Sequence, residues 1–137
     1  MAAALALGAH AVQVGTRFAV CAESSAHQAY KESVVGAGDR STVLALSPVT
    51  PVRLIKNPFA LRALDAERAG ASSDELRAIL GRGRGRAAIF CGDIEEGEIE
   101  AGQIAGLIDD IPSAGQIIER LLEGYKRATS GLNQLSF

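Results

Sequence analysis

The residues of this chain best placed for chemistry are Gly15 and Thr16, which follow a short apolar segment at residues 11–14. That segment predicts a buried strand, and the alanine-rich residues 1–7 before Gly8 predict a helix. A glycine where a strand ends lets the backbone approach a ligand with no side chain between them. The corner therefore predicts a phosphate-binding site, with an ordinary turn of the chain as the alternative.

Further motifs follow this corner along the sequence. Residues 51–57 read Pro-Val-Arg-Leu-Ile-Lys-Asn, residues 92–97 read Gly-Asp-Ile-Glu-Glu-Gly, and residues 101–107 read Ala-Gly-Gln-Ile-Ala-Gly-Leu. Together with residues 2–18, these segments resemble the C-terminal part of the nitronate monooxygenase family, which includes the flavin-dependent enoyl-acyl-carrier-protein reductases. The resemblance extends from Ala2 to about Lys126.

The resemblance implies an α/β fold. It places this chain in the C-terminal portion of an FMN-binding TIM barrel that carries an inserted α-rich domain on its substrate side. A complete barrel takes about 250 residues, whereas this chain has 137. We therefore expect an incomplete barrel in this chain.

Analogy with the family also predicts the domain organisation. Residues 1–21 are expected to form the last barrel strand region, residues 22–96 the inserted domain, residues 97–127 the return helices of the barrel, and residues 128–137 a frayed tail. The strand at residues 11–14 would then lack neighbouring strands, and its backbone groups would stay unpaired. We expect such a chain to aggregate, to form homo-oligomers or to dock against a missing N-terminal half.

Six residues are implied by the resemblance to bind FMN: Gln13, Val14, Gly15, Thr16, Gly102 and Gln103. The first four match the segment that holds the FMN phosphate in the family, and the last two are weaker candidates for a second wall. The histidine that the family uses in catalysis lies upstream, in a Gly-Gly-His segment that this sequence does not contain. We therefore assign no catalytic residue to this chain.

The function implied is FMN-dependent oxidation of nitronates with oxygen. One alternative is flavin-dependent reduction of an enoyl thioester, which would use NADH or NADPH and an acyl carrier protein. Another is a non-catalytic remnant or interaction module. Nitronate oxidation and enoyl reduction each need a small-molecule substrate, a nitronate or an acyl thioester, whereas a non-catalytic module needs none.

The histidines and the acidic cluster have simpler explanations than catalysis. His10 is expected on the surface, and His27 is expected to pack against or cap a helix, with substrate contact as the alternative. The cluster formed by Asp93, Glu95, Glu96, Glu98 and Glu100 has no EF-hand spacing, so we predict a solvated turn and no metal site. Glu100 stands where reductase-like relatives often carry methionine near the flavin.

The basic run Arg82-Gly83-Arg84-Gly85-Arg86 predicts a solvated loop or a lead-in to a helix. A hypothesis motivated by the family is that this run, with Arg53 and Lys56, attracts an acidic acyl carrier protein by electrostatic steering. Nucleic-acid binding is not expected, because no aromatic residues interleave with these arginines and the net charge is -2.

Composition places the chain among ordinary soluble domains, with 47% hydrophobic and 22% charged residues. No segment approaches the ~20 apolar residues of a membrane span, and the apolar N-terminus lacks the basic region of a signal peptide. Cys21 and Cys91 lie far apart, which favours reduced thiols and a cytoplasmic location.

Local signals predict the remaining elements. Apolar residues between Ala26 and Val35 have helical spacing, and residues 41–46 predict a strand. Helix starts are predicted at Asn57, at a Ser72–Glu75 capping box and at a Ser113–Gln116 capping box. The last helix is predicted to fray after Thr129. It is also predicted to carry one apolar stripe, formed by Ile117, Ile118, Leu121, Leu122 and Tyr125.

Overall fold

The computed structural model describes residues 1–133. Within these residues the chain forms seven α-helices, one 3₁₀ helix and two strands. In chain order they are α1 (Ala2–Ala6), α2 (Thr16–Ala19), α3 (Gln28–Val35), β1 (Thr42–Ala45), β2 (Val52–Ile55), α4 (Pro58–Arg68), α5 (Ser73–Leu80), α6 (Arg84–Cys91), the 3₁₀ helix (Gln103–Leu107) and α7 (Ala114–Asn133).

The sheet is a short antiparallel pair in which Thr42 of β1 lies opposite Ile55 of β2. On its other side β2 is bonded to residues 99–101. The amide of Ile55 donates to the carbonyl of Ile99 at 2.9 Å, and the amide of Ala101 donates to the carbonyl of Arg53 at 3.2 Å. The backbone of β2 is therefore held on both sides.

Two hydrophobic clusters flank this sheet, because successive strand residues point to opposite faces. Leu54 packs with Phe59 and Leu76 in a cluster of β1, β2, α4 and α5. Ile55 packs in a second cluster with Tyr30 of α3 and with Ile99, together with residues of α6 and the 3₁₀ helix. The second cluster joins residues from the first 35 positions to residues 99–108.

The predicted helix starts are confirmed. The side chain of Asn57 accepts from the amide of Ala60 at 2.8 Å, with Pro58 in the first turn of α4. Ser72 and Glu75 form a reciprocal capping box at α5. Ser113 and Gln116 exchange the same two hydrogen bonds, at 2.9 and 3.2 Å. The strand predicted over residues 41–46 is present as β1.

Asn57 does more than cap a helix. It is 7% exposed, and its Nδ2 atom donates to the carbonyls of Ile94 and Gly97 at 3.0 and 2.8 Å. The motif at residues 51–57 is thereby bonded to the motif at residues 92–97. Because the buried side-chain amide of Asn57 has these hydrogen-bond partners, the fold avoids the loss of about 1–3 kcal/mol of stability that an unpaired buried polar group causes.

The strand predicted at residues 11–14 is wrong for this chain. Residues 9–15 have no regular secondary structure, and Val12 is 38% exposed. A strand exists only through pairing with a neighbour. Within residues 1–133 the two strands pair with each other and with residues 99–101, so no partner lies beside this segment.

Helix α7 also differs from prediction. It continues through Thr129 to Asn133 instead of fraying, and the Thr129 hydroxyl donates to the carbonyl of Tyr125 one turn earlier without interrupting the helix. Residues 134–137 of the predicted tail lie outside the described residues. The predicted stripe is only partly covered: Ile117 is buried, whereas Ile118 and Leu122 are 50% and 49% exposed. No helix within residues 1–133 has the length and apolar character needed to cross a membrane.

Candidate functional site

The predicted phosphate-binding residues Gly15 and Thr16 lie next to Gly102, one of the two candidates for the second wall of the site. The amide of Gly102 donates to Oγ1 of Thr16 at 3.0 Å, across 86 positions of sequence. An alanine at position 102 would bring a Cβ atom within 3.4 Å of the same oxygen, so the glycine allows this close approach. Two motifs that are far apart in the chain therefore form one site.

Gly15 and Thr16 lie at the start of α2. Gly15 is the N-cap residue, Thr16 is the first helical residue, and the carbonyl of Gly15 accepts from the amides of Phe18 and Ala19 at 2.9 and 3.1 Å. Amides at the start of a helix have no partner within it. Within residues 1–133 the amides of Gly15 and Thr16 donate no backbone hydrogen bond.

An ion-paired group holds α2 in place from the other side. Arg17 pairs with Asp110 at 3.0 Å and donates to the Asp110 carbonyl at 2.7 Å, while Arg120 of α7 pairs with the same carboxylate at 2.6 Å. The bond from Arg120, followed by the charges of both arginines, holds the pKa of Asp110 below its ordinary value. The corner is thus tied to α7.

A cleft of about 360 Å³ opens beside this corner, and the residues lining it come from α2, from β2 with the residue before it, and from residues 100–102. They are Thr16, Pro51, Val52, Arg53, Glu100, Ala101 and Gly102. Arg53 was expected only as part of a surface patch, and its place in this cleft depends on strand pairing that no local pattern encodes. The other predicted residues are exposed or partly so: Gln13 and Gln103 are exposed, and Val14 is half-buried.

Acidic groups gather next to the cleft. One oxygen of Glu100 lies 3.0 Å, and one of Glu98 3.8 Å, from the position that a Cβ atom on Gly85 of α6 would take. The Tyr30 hydroxyl donates to the Glu100 carbonyl at 2.7 Å, and burial, then the charge of Glu100, raise the pKa of Tyr30. Burial, then the same charge, raise the pKa of Glu98.

The raised pKa of Glu98 predicts that Glu98→Gln stabilises the protein at neutral pH. A carboxyl group whose pKa is raised on folding favours the protonated folded state, so stability falls as pH rises from the ordinary value of 4.5 through the higher folded pKa. The variant should melt above the natural protein at pH 7, and the difference should vanish below pH 4.5. Thermal melts across pH check this, with the exposed Glu95→Gln as the control. A lower melting temperature for Glu98→Gln at pH 7 would contradict it.

The acidic and basic runs have structural roles. Asp93 Oδ1 accepts from the amides of Glu95 and Glu96 at 3.2 and 2.9 Å, which confirms the predicted turn. Glu96 pairs with Arg62 at 2.6 Å and with Arg84 at 3.3 Å. Within residues 1–133 no group of three His, Cys, Asp or Glu residues could hold a metal ion.

The basic run leads into helix α6, which begins at Arg84 and confirms the predicted lead-in, but the side chain of Arg84 is half-buried and not solvated. Its Nε atom donates to the Leu80 carbonyl at 2.8 Å, and its guanidinium lies 4.6 Å from the centre of the Phe59 ring. Glycines at positions 83 and 85 flank this arginine in the sequence, so the local pattern gave no sign that it packs against Phe59. Arg82 and Arg86 are exposed, as predicted.

The histidines lie as predicted. His10 is exposed, and His27 caps α3 by accepting from the amide of Ala29 at 3.1 Å. Cys21 is buried and Cys91 exposed, and both thiols are free.

Comparison with known proteins identifies the family to which this site belongs. The nitronate monooxygenase family model matches residues 1–124. The chain belongs to this family. A nitronate monooxygenase from Paraburkholderia phytofirmans is 31% identical over 137 residues, which are 99% of this chain and 37% of that protein. One from Pseudomonas aeruginosa is 51% identical over 45 residues, 33% of this chain and 13% of that protein.

Solved structures agree with the family membership. The structure of FabK from Thermotoga maritima superposes with a TM-score of 0.87 at 41% identity and covers 96% of this chain and 42% of FabK. A mutant of that FabK gives a TM-score of 0.77 at 41% identity, covering 97% of this chain and 39% of FabK. This chain therefore has an α/β fold similar to part of FabK, and it spans less than half the length of each of these relatives.

Proposed function

We propose that this chain is the C-terminal part of an FMN-dependent oxidoreductase that oxidises nitronates with oxygen. The observation that carries the proposal is the hydrogen bond from the Gly102 amide to Thr16 Oγ1, which assembles the corner beside an open cleft. Family membership supplies the cofactor and the class of reaction.

The residues present fit the phosphate of FMN. The amides of Gly15 and Thr16 donate no backbone hydrogen bond within the described chain, and Thr16 lines the cleft. We propose that these two residues hold the phosphate, with Gln13 and Val14 before them and Gly102 and Gln103 as the second wall. When bound, FMN would supply the redox step, and this chain would supply position and electrostatics. We assign no catalytic residue to residues 1–133.

The fold in the whole protein follows from the same proposal. We propose that residues 11–14 become a barrel strand when neighbouring strands pair with them, since residues 9–15 have no regular secondary structure here and Val12 is 38% exposed. Residues 1–21 and 97–127 would then belong to the barrel, and residues 22–96 to the inserted substrate-side domain. The partner for this segment is a polypeptide that supplies the remaining strands, because FabK extends well beyond the matched region.

A second candidate function is reduction of an enoyl thioester with NADH or NADPH. It is favoured by the likeness to FabK, an enoyl-acyl-carrier-protein reductase, which is 41% identical to this chain. Under this alternative the exposed Lys56, Arg82 and Arg86 would steer an acyl carrier protein. Arg84 no longer belongs to that patch, because its guanidinium is bonded internally.

Replacing Thr16 with valine tests the corner. Valine keeps the shape but removes the oxygen that the Gly102 amide donates to, so we expect the Kd for FMN to rise about 10-fold, the equivalent of one hydrogen bond. Quenching of flavin fluorescence measures the affinity. Thr16→Ser retains the hydroxyl and is the matched control. FMN affinity of Thr16→Val equal to that of the natural protein would refute the assignment.

Turnover distinguishes the candidate functions. The assay uses the FMN-loaded protein in which this chain is combined with the polypeptide that supplies the remaining strands, because we assign no catalytic residue to this chain. That protein is given propyl-2-nitronate with an oxygen electrode, and separately a crotonyl thioester with NADH or NADPH. Oxygen consumption with the nitronate is the expected result. Nicotinamide oxidation that depends on the thioester would instead favour the reductase, and FMN binding with neither activity would favour the non-catalytic module.

A further inference from the structure

Within residues 1–133, Arg53 has no counter-ion. Three arginines of the described chain are half-buried: Arg17, Arg53 and Arg84. Arg17 pairs with Asp110 and Arg84 with Glu96. No carboxylate oxygen of residues 1–133 lies within 4.0 Å of the Arg53 guanidinium. Partial burial of an unpaired charge is costly, so an arginine in this state suggests a ligand that pairs with it.

The guanidinium is also held in position. The backbone of Arg53 is paired on one side with Leu44 of β1, and its carbonyl accepts from Ala101 on the other. One of its terminal nitrogens, Nη1, donates to the Thr42 hydroxyl at 3.1 Å. A guanidinium group has five N–H donors, so most of the donors of Arg53 are available to a ligand.

The surroundings favour an oxygen-rich anion. Arg53, Thr16 and Gly102 line the same cleft, and Gly102 has no side chain to narrow it. Glu100 also lines this cleft, but one of its carboxylate oxygens lies 3.0 Å from the position that a Cβ atom on Gly85 of α6 would take, and it forms no ion pair with Arg53. A guanidinium can donate two parallel N–H bonds to a phosphate group, so an arginine among the lining residues of this cleft favours that ligand.

We infer that Arg53 is an anion-binding residue and that the cleft between it and Thr16 takes a phosphate group. Two sources carry that chemistry, the phosphate of FMN and a free or second-substrate phosphate. The inference rests on the proposed function only for the identity of the carrier, since the anion site itself is formed by Arg53, Thr16 and Gly102.

The anion site is tested first with inorganic phosphate. The natural 137-residue chain and Arg53→Met are melted in phosphate and in chloride at equal ionic strength. Arg82→Met, which removes the same charge from an exposed position, is the matched control. We expect phosphate to raise the melting temperature of the natural chain and of Arg82→Met, with the half-saturating phosphate concentration roughly 10- to 100-fold higher for Arg53→Met.

An equal response of Arg53→Met and the natural chain, or no response of the natural chain, would overturn the inference. Arg53→Lys keeps the test decisive if Arg53→Met does not fold. It retains the charge but not the fork, so its response should be weaker than that of the natural chain, and an unchanged response would count against the site.

Comparison of FMN with riboflavin then identifies the carrier. If the natural chain prefers FMN to riboflavin and Arg53→Met loses that preference, the phosphate is that of FMN. If the chain responds to inorganic phosphate but binds neither flavin, the anion site stands and the proposed flavin function fails. Equal loss of FMN and riboflavin affinity in Arg53→Met would instead mark a purely structural residue and overturn the inference.

Discussion

Gly97→Ala is expected to destabilise the fold by about 3 kcal/mol, a large share of the total stability of a domain. A Cβ atom at this position would overlap the carbonyl oxygen of Asp93 and lie 2.7 Å from both the Cβ and the amide nitrogen of Ala88. Two of these atoms belong to the backbone, which cannot move aside as a flexible side chain can. Urea denaturation followed by circular dichroism measures the loss, and wild-type stability for Gly97→Ala would contradict the packing described here.

Gly124→Ala is the matched control, with the opposite expected sign. Gly124 lies inside α7, and apart from its chain neighbours and the backbone of its own helix, no atom of residues 1–133 lies within 4 Å of the position that its Cβ would take. Alanine is favoured over glycine in a helix by roughly 0.5–1 kcal/mol, so this variant should be slightly more stable. The pair separates steric conflict from a general effect of replacing glycine.

Asn57→Asp is expected to cost about 2–4 kcal/mol at neutral pH. The substitution keeps the oxygen that caps α4, but it places a second oxygen where Nδ2 donates to the carbonyls of Ile94 and Gly97. A buried carboxylate would then face two carbonyl oxygens. Because its protonated form could donate one of these bonds, the loss should shrink as pH falls, which melts at pH 4 to 7 would show.

Ser72→Ala gives the comparison for Asn57→Asp. Ser72 caps α5 from an exposed position, so its loss should cost about 1 kcal/mol and should not depend on buried carbonyls. A cost for Asn57→Asp no greater than that for Ser72→Ala would mean that the contacts with Ile94 and Gly97 contribute little.

Local signals in the sequence predicted the parts of the fold that depend on neighbouring residues. The caps at Asn57, Ser72 and Ser113 lie where expected, because each cap satisfies amides within three positions of itself. The strand at residues 11–14 was wrong because strand formation depends on a partner, and none lies beside it within residues 1–133. The interior role of Arg84 depends on Phe59 and Glu96, which are distant in sequence.

The sequence likewise predicted part of the candidate site but not all of its residues. Gly15 and Thr16 stand out in the sequence as a corner, and the family resemblance pointed to Gly102 as a second wall. The hydrogen bond between Thr16 and Gly102 agrees with that grouping. Arg53 reaches the same cleft through the pairing of β2 with residues 99–101, and the spacing of residues gives no sign of that contact.

The most direct test of the flavin corner is an NMR titration of the ¹⁵N-labelled chain with FMN. The amides of Gln13, Val14, Gly15, Thr16, Gly102 and Gln103 should shift together and saturate at one flavin per chain. Riboflavin should move the amides of Gly15 and Thr16 much less, because it lacks the phosphate. Shifts confined to other residues, or no saturable shift with FMN, would contradict the proposed flavin site.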